Sequence, residues 1–145
     1  MESKDQTYWH IQMHLPDGKG GARIASMPML QGTQPVIGTG EWEDRQCEEF
    51  KRIPEGSIIL VREGNRALAL CKIIGPNYTS EKLEEKYHNI NYRNVEILGF
   101  IPEEDQPGPQ VFSQGTLKSC RPDPTKPQWS YIHQLYTRMT KQAKI

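Results

Sequence analysis

The residue types that could do chemistry are present in this chain, but their spacing defeats most chemistries. His10, His14, His88 and His133 are scattered, and only His10 and His14 have the i, i+4 spacing that sets two ligands on one helix face. That stretch alternates like a strand and then enters a loop, so the pair does not share a side. Cys47, Cys71 and Cys120 are an odd number at wide spacing with no Cys-x-x-Cys. They fit reduced thiols in a cytoplasmic protein better than a zinc site or a disulfide framework. Gly18-Lys19-Gly20-Gly21 lacks the following Gly-Lys-Ser/Thr of a phosphate loop, and Gly38-Thr39-Gly40 lacks the third glycine of a dinucleotide fingerprint.

Pro16-Asp17 and Glu84-Glu85-Lys86 supply the residue types of the Pro-Asp…Glu-x-Lys centre of metal-dependent nucleases. Their separation is far too great, and Glu84 to Lys86 fall on an exposed helix face. The expectation is a binding domain with no catalytic residue, no metal and no cofactor. What remains is aromatic. Trp42 stands among glycines and acids in Gly38-Thr39-Gly40-Glu41-Trp42-Glu43-Asp44, outside any apolar periodicity; Tyr78 lies in a break between elements and Tyr92 opens a strand. Aromatic faces at loop ends can converge on a flat ligand such as a nucleobase, where stacking contributes about 1–3 kcal/mol per base. The alternative is that they cover the open end of a barrel. Trp9 and Trp129 read as core.

The elements that would position these residues follow from pattern and punctuation. Tyr8 to Met13 alternates as a strand, with Trp9, Ile11 and Met13 on one face and Tyr8, His10 and Gln12 on the other. Leu15 to Gln34, with Gly18, Gly20, Gly21, Pro28 and Gly32, reads as a long loop, either functional or partly mobile. Pro35 to Gly40 is a short strand, and Glu43 to Ile53 a helix burying Cys47, Phe50 and Ile53. Ser57 to Arg62 and Arg66 to Ile74 are β-rich runs around Glu63-Gly64-Asn65, which predicts a hairpin. Ser80 caps a short helix carrying Leu83 and Tyr87. Tyr92 to Ile101 is another strand, and Glu103 to Pro109 an acidic, proline-rich loop. Pro127 opens a final helix whose stripe is Trp129, Ile132, Leu135, Tyr136 and Met139. Few strands joined mostly without crossover helices predict an α+β fold, a small and mostly antiparallel β-barrel with helices packed outside.

Length and composition agree with that. The 145 residues suit a single domain, with a core of about residues 7–138. The 35% hydrophobic content, below the usual 45–50% or so, reflects twelve Gly and eleven Pro in a loop-rich chain. No apolar run approaches the roughly 20 residues of a membrane helix, so no membrane partner is expected. Net charge is zero, but six basic residues and one acid follow from Lys118 onward, a net +5 that the first 117 residues balance with −5. Such asymmetry can orient a domain on a polyanion; a solvated basic helix end is the plainer alternative.

Three runs carry a family resemblance: Gly38 to Trp42; Phe50 with Ile53-Pro54-Glu55-Gly56-Ser57-Ile58-Ile59-Leu60-Val61; and Ala67 to Gly75. Together they resemble the PUA-like superfamily, and within it EVE and YTH-type domains. Tyr92 to Leu98, Ser113 to Leu117 and Tyr131 to Tyr136 look like the version found at the N-terminus of McrB-like modification-dependent restriction proteins. In those families an early Trp after a glycine-containing strand end helps to cage a flipped, modified base. Unlike the YTH pattern, Trp42 is followed by Glu43, and the second cage position falls on a tyrosine, Tyr78. The resemblance implies a specificity domain for DNA carrying a modified, methylated base. Trp42, Tyr78, Tyr92, Thr39, His14 and Asp17 would line the base pocket, with phosphate contacts from Lys19, Arg23, Arg93, Lys118 and Arg121. GTPase or nuclease activity would belong to other domains or subunits. An RNA-binding module reading a modified or single-stranded base, and a protein-interaction domain without nucleic acid, are the competing expectations.

Overall fold

A computed structural model describes residues 7–12, 15–16, 23–24, 27–39, 44–63, 65–87, 91–108, 111–112 and 117–143. The most local signals in the sequence produce the firmest elements. In the turn Pro54-Glu55-Gly56-Ser57, the Ser57 amide donates to the Pro54 carbonyl at 3.1 Å. Gly56 at φ +92° takes the conformation that the third position of such a turn requires of glycine. The chain then enters β5 (Ile58–Glu63), which pairs antiparallel with β6 (Arg66–Ile73) as the expected hairpin. Leu68 is skipped in that pairing. Leu68 and Ala69 consequently both face the same core, as a bulge dictates. A second register shift lies where β6 pairs with β8 (Asn91–Phe100). Bulges bend and twist strands, which suits a sheet that must curl.

β1 (Tyr8–Gln12) lies on the other side of β5, and β9 (Leu117–Cys120) pairs antiparallel with β1. β4 (Val36–Thr39) pairs antiparallel with the first half of β8, and the two-residue β7 (Tyr78–Thr79) pairs with the same half. The strand order is β4-β8-β6-β5-β1-β9 with β7 beside β8. The fold is α+β, its sheet curling into a half-barrel, and most strand pairs are antiparallel, as expected. The exception among the described residues is the β1–β5 pair, which is parallel. Its long connection contains α1 (Met27–Gln31), β4 and α2 (Asp44–Arg52), so it does include helices. The segment read as a long loop, 15–34, holds the small ribbon β2 (Leu15–Pro16) and β3 (Arg23–Ile24) as well as α1, whose Met29 and Leu30 are buried.

Both faces of the sheet are covered. Ile11, Ile37, Phe50, Ile59, Val61 and Cys71 belong to one core. Tyr8, Ile58, Leu60 and Leu70 belong to a second core against α4 (Pro127–Ala143), which contributes Trp129, Ile132 and Leu135. This explains why β5 reads as an unbroken apolar run rather than an alternating one. α3 (Glu81–Tyr87) starts as expected, with Ser80 Oγ accepting from the Leu83 amide at 3.2 Å. The acidic stretch 103–106 is pinned to the body. Gln106 bonds both backbone groups of Ala67, and the Tyr131 hydroxyl donates to the Asp105 carbonyl at 2.7 Å. No helix among the described residues is long and apolar enough to cross a membrane.

Candidate nucleic-acid interface

Strand pairing brings three of the expected base-pocket residues to one end of the sheet. Thr39 and Thr79 both register with Asn91, and Tyr78 and Gly38 both register with Tyr92. Trp42, His14 and Asp17 lie outside the described residues, as does Lys19. Tyr92 requires correction. It is fully buried in the main core, because β8 is an interior strand flanked by β4 on one side and β6 and β7 on the other. It supports Tyr78, whose ring lies 6.1 Å away, rather than forming a pocket wall. Tyr78 is half-buried, and its hydroxyl donates to Asn94 Oδ1 at 2.6 Å; burial raises its pKa.

Arg93 is the second correction. It is 1% exposed and reaches no surface. Its Nε donates to the Gly75 carbonyl at 2.9 Å, and its two terminal nitrogens donate to the carbonyls of Phe50 and Ile53 at 2.8 Å each. A guanidinium with its donors committed to buried backbone has no role at a phosphate. Arg23 sits in β3 opposite Pro16, in the separate two-stranded ribbon.

Lys118 and Arg121 do converge, at the opposite edge of the sheet. β9 and the turn that follows it carry both to the mouth of a cleft of about 380 Å³, which the first turn of α4 closes with Gln128 and Trp129. Lys126 joins them there; no sequence signal marks it, because it belongs to a turn with no pattern of its own. All three are exposed, and among the described residues none of them is in an ion pair. Asp123 is the acid at the rim. Its carboxylate accepts from the Thr125 hydroxyl at 2.6 Å and the Thr125 amide at 3.0 Å, and those bonds hold its pKa below the usual value.

The inner wall of the cleft is His10, another residue to which the sequence assigned no role. It lies directly across from Lys118 in the β1–β9 pair and is 4% exposed. Its ring packs edge-on against Phe112 at 4.8 Å, and its Nδ1 accepts from Arg62 Nε at 3.1 Å. Arg62 is itself buried, also donates to Gln12 Oε1 at 2.7 Å, and stands 5.4 Å from the Phe112 ring centre. Burial first, then the charges of Arg62 and Lys118, push the His10 pKa down to about 3. Cys120 also lines the cleft, and burial raises its thiol to about 11, against the opposing pull of Arg62. At neutral pH the wall therefore presents a neutral imidazole and a protonated thiol, a poor outfit for nucleophilic chemistry. No group of three His, Cys, Asp or Glu able to hold a metal occurs among the described residues. A second hollow of similar size, beside the half-buried Trp9, is rimmed by Glu48, Glu49 and Arg52. Its acids make it the less suitable of the two for an anion.

The depressed pKa of His10 has a measurable consequence for stability. Unfolded, the imidazole takes up a proton below about pH 6.5, whereas folded it stays neutral down to about 3. Between those values the unfolded state binds more protons, so stability falls as pH falls. By pH 5 the expected loss is about 2 kcal/mol. Urea denaturation of His10→Asn, whose side chain can still accept from Arg62, should show that much less difference between pH 7 and pH 5. Equal pH dependence in both proteins would contradict the assignment. Comparison of the chain with family models, curated proteins and solved structures finds no match.

Proposed function

We propose that the chain is the DNA-binding specificity module of a modification-dependent restriction system. It would grip a duplex by its phosphates and read a modified base flipped into an aromatic pocket. The observation that carries this reading is the gathering of Lys118, Arg121 and Lys126, without ion-pair partners among the described residues, around one concave corner of a chain with zero net charge. Exposed cations held apart from carboxylates are what a phosphate backbone selects, since neutralising phosphates releases condensed counterions. On the base side, Thr39 and Tyr78 come to one end of the sheet, and Thr39 is close in sequence to Trp42. This supports a pocket in which Trp42 stacks on the extruded base, with His14 and Asp17 addressing its edge. Extrusion costs a few kcal/mol, which stacking and burial of a methyl group, about 0.8 kcal/mol, offset. Nuclease and nucleotide-hydrolysing activities would reside in other domains or subunits of the system.

Two measurements test the two halves. Lys118→Ala with Arg121→Ala should weaken binding to modified and unmodified duplexes by similar factors. It should flatten the slope of log K against log salt by about 0.9 for every phosphate no longer neutralised, because such residues position the duplex without reading its sequence. Weakening confined to modified DNA would remove these residues from the backbone interface. Trp42→Ala should cost about 1–3 kcal/mol of stacking, roughly 5- to 150-fold in affinity, and should erode the preference for modified over unmodified duplex. Matched modified RNA and DNA oligonucleotides in competition identify the polymer; preference for RNA would replace the restriction assignment with an RNA-reading one. Binding that is indifferent to salt would point to a protein partner.

A further inference from the structure

His10 presents a donor that nothing among the described residues uses. Because Nδ1 accepts a hydrogen bond from Arg62 Nε, which always carries its proton, the single proton of the neutral ring must sit on Nε2. Among the described residues no acceptor partners that Nε2–H, although the side chain is 96% buried, being 4% exposed. Asn77 Oδ1 is the one fully buried side-chain polar atom without a partner among the described residues, so the Nε2–H of His10, also without one, reaches open space. The one open direction is the cleft that the ring lines with Lys118, Arg121, Lys126 and the first turn of α4.

We infer that the cleft between β9 and α4 is a binding site for a phosphate monoester, with His10 Nε2–H donating to a phosphate oxygen. Three features select that ligand. An anionic acceptor fits best, because three cations without ion-pair partners among the described residues line the same cleft against one acid, Asp123, whose carboxylate accepts from Thr125. The N-terminus of a 17-residue helix faces the same space, and its partial positive charge favours an anion. The donor is recessed behind a mouth, in a volume of about 380 Å³ at the small-molecule end of ligand pockets. A terminal phosphate can enter such a recess more readily than a diester inside a duplex. A free nucleoside monophosphate and the 5′-phosphorylated end of a strand share this chemistry. The inference extends the phosphate half of the proposed function and needs nothing of the base half.

The test is to titrate the whole chain, with ¹⁵N-labelled histidine, against adenosine monophosphate, adenosine, and two single-stranded oligonucleotides of one sequence carrying a 5′-phosphate or a 5′-hydroxyl. Adenosine monophosphate should shift the His10 Nε2 resonance and adenosine should not. If strand ends are the source, the 5′-phosphorylated oligonucleotide should bind at least about tenfold tighter than its 5′-hydroxyl twin; if free nucleotides are, only the monophosphate should discriminate. His10→Asn keeps an acceptor for Arg62 but, its amide being shorter, places no donor at the position of Nε2, so it should weaken monoester binding by about tenfold or more, as loss of a hydrogen bond to a charged group does. His10→Gln, whose amide nitrogen falls near the position of Nε2, should retain most of the affinity. Equal binding of monophosphate and nucleoside, or undiminished monoester binding by folded His10→Asn, would overturn the inference. Either result would leave duplex binding through Lys118 and Arg121 standing.

Discussion

Replacing Arg93 with methionine should cost about 3–5 kcal/mol of folding stability while leaving few voids, since the methionine stem occupies much of the space of the arginine stem. The cost arises from three carbonyls. Phe50 presents its carbonyl in the last turn of α2, Ile53 just past the end of that helix, and Gly75 just past β6. One buried guanidinium satisfies all three, and its positive charge also suits the negative end of the helix. Each acceptor left buried without a partner costs about 1–3 kcal/mol, set against a total stability of about 5–15 kcal/mol for a domain. Arg93→Lys should recover part of the loss, because an ammonium cannot span three divergent acceptors as a planar fork does. Urea denaturation gives the number. A loss below about 1 kcal/mol together with weaker DNA binding would return Arg93 to the phosphate interface.

Trp129→Ala should be comparably severe, about 3–5 kcal/mol by the usual cost of truncating a core tryptophan. In a domain of this size that lowers Tm by roughly 10 °C. Trp129 is 3% exposed and stands where three surfaces meet. Its ring lies 5.6 Å from Tyr8 on β1 and stacks on His133 at 4.5 Å, one turn further along α4. The Tyr8 hydroxyl in turn lies 2.8 Å from His133 Nδ1. Removing the indole takes away the first anchor of α4 on the sheet and part of the lining of the His10 cleft. Trp129→Phe should retain most of the stability. If Trp129→Ala melts within a few degrees of the parent, α4 is held by Ile132 and Leu135 alone and the second core is weaker than its burial indicates.

The contrast between these residues and Lys118 shows where sequence reasoning runs out. Arg93 and Lys118 are both basic residues in strands, and nothing local separates them. Position in the sheet does: β8 is interior and covered on both faces, whereas β9 is outermost and leaves Lys118 exposed. Tyr92 shares the fate of Arg93 for the same reason. Lys126 belongs to no pattern, and His10 is one of four scattered histidines. The alternation that places His10 on the Tyr8 face is correct, but no spacing indicates that Arg62 would approach one nitrogen of its ring and a cleft the other.

What the amino-acid order determined by itself is the set of features closed by neighbours in the chain. These are the Ile58–Ile73 hairpin, the Ser80 cap, the start of α4 at Pro127, and the Trp129–Ile132–Leu135 stripe that docks it. Their causes are φ preferences, cap hydrogen bonds and periodicity, all of which act within a few residues. Tertiary structure alone decided the parallel pairing of β1 with β5, the burial of Met29 and Leu30, the fate of Arg93, and the meeting of His10 with Lys118, Arg121 and Lys126. Each joins segments tens of residues apart. Whether a polar side chain there becomes a structural bond or an open donor depends on which strand lies beside it, a choice made by the burial of the whole sheet rather than by any stretch of sequence.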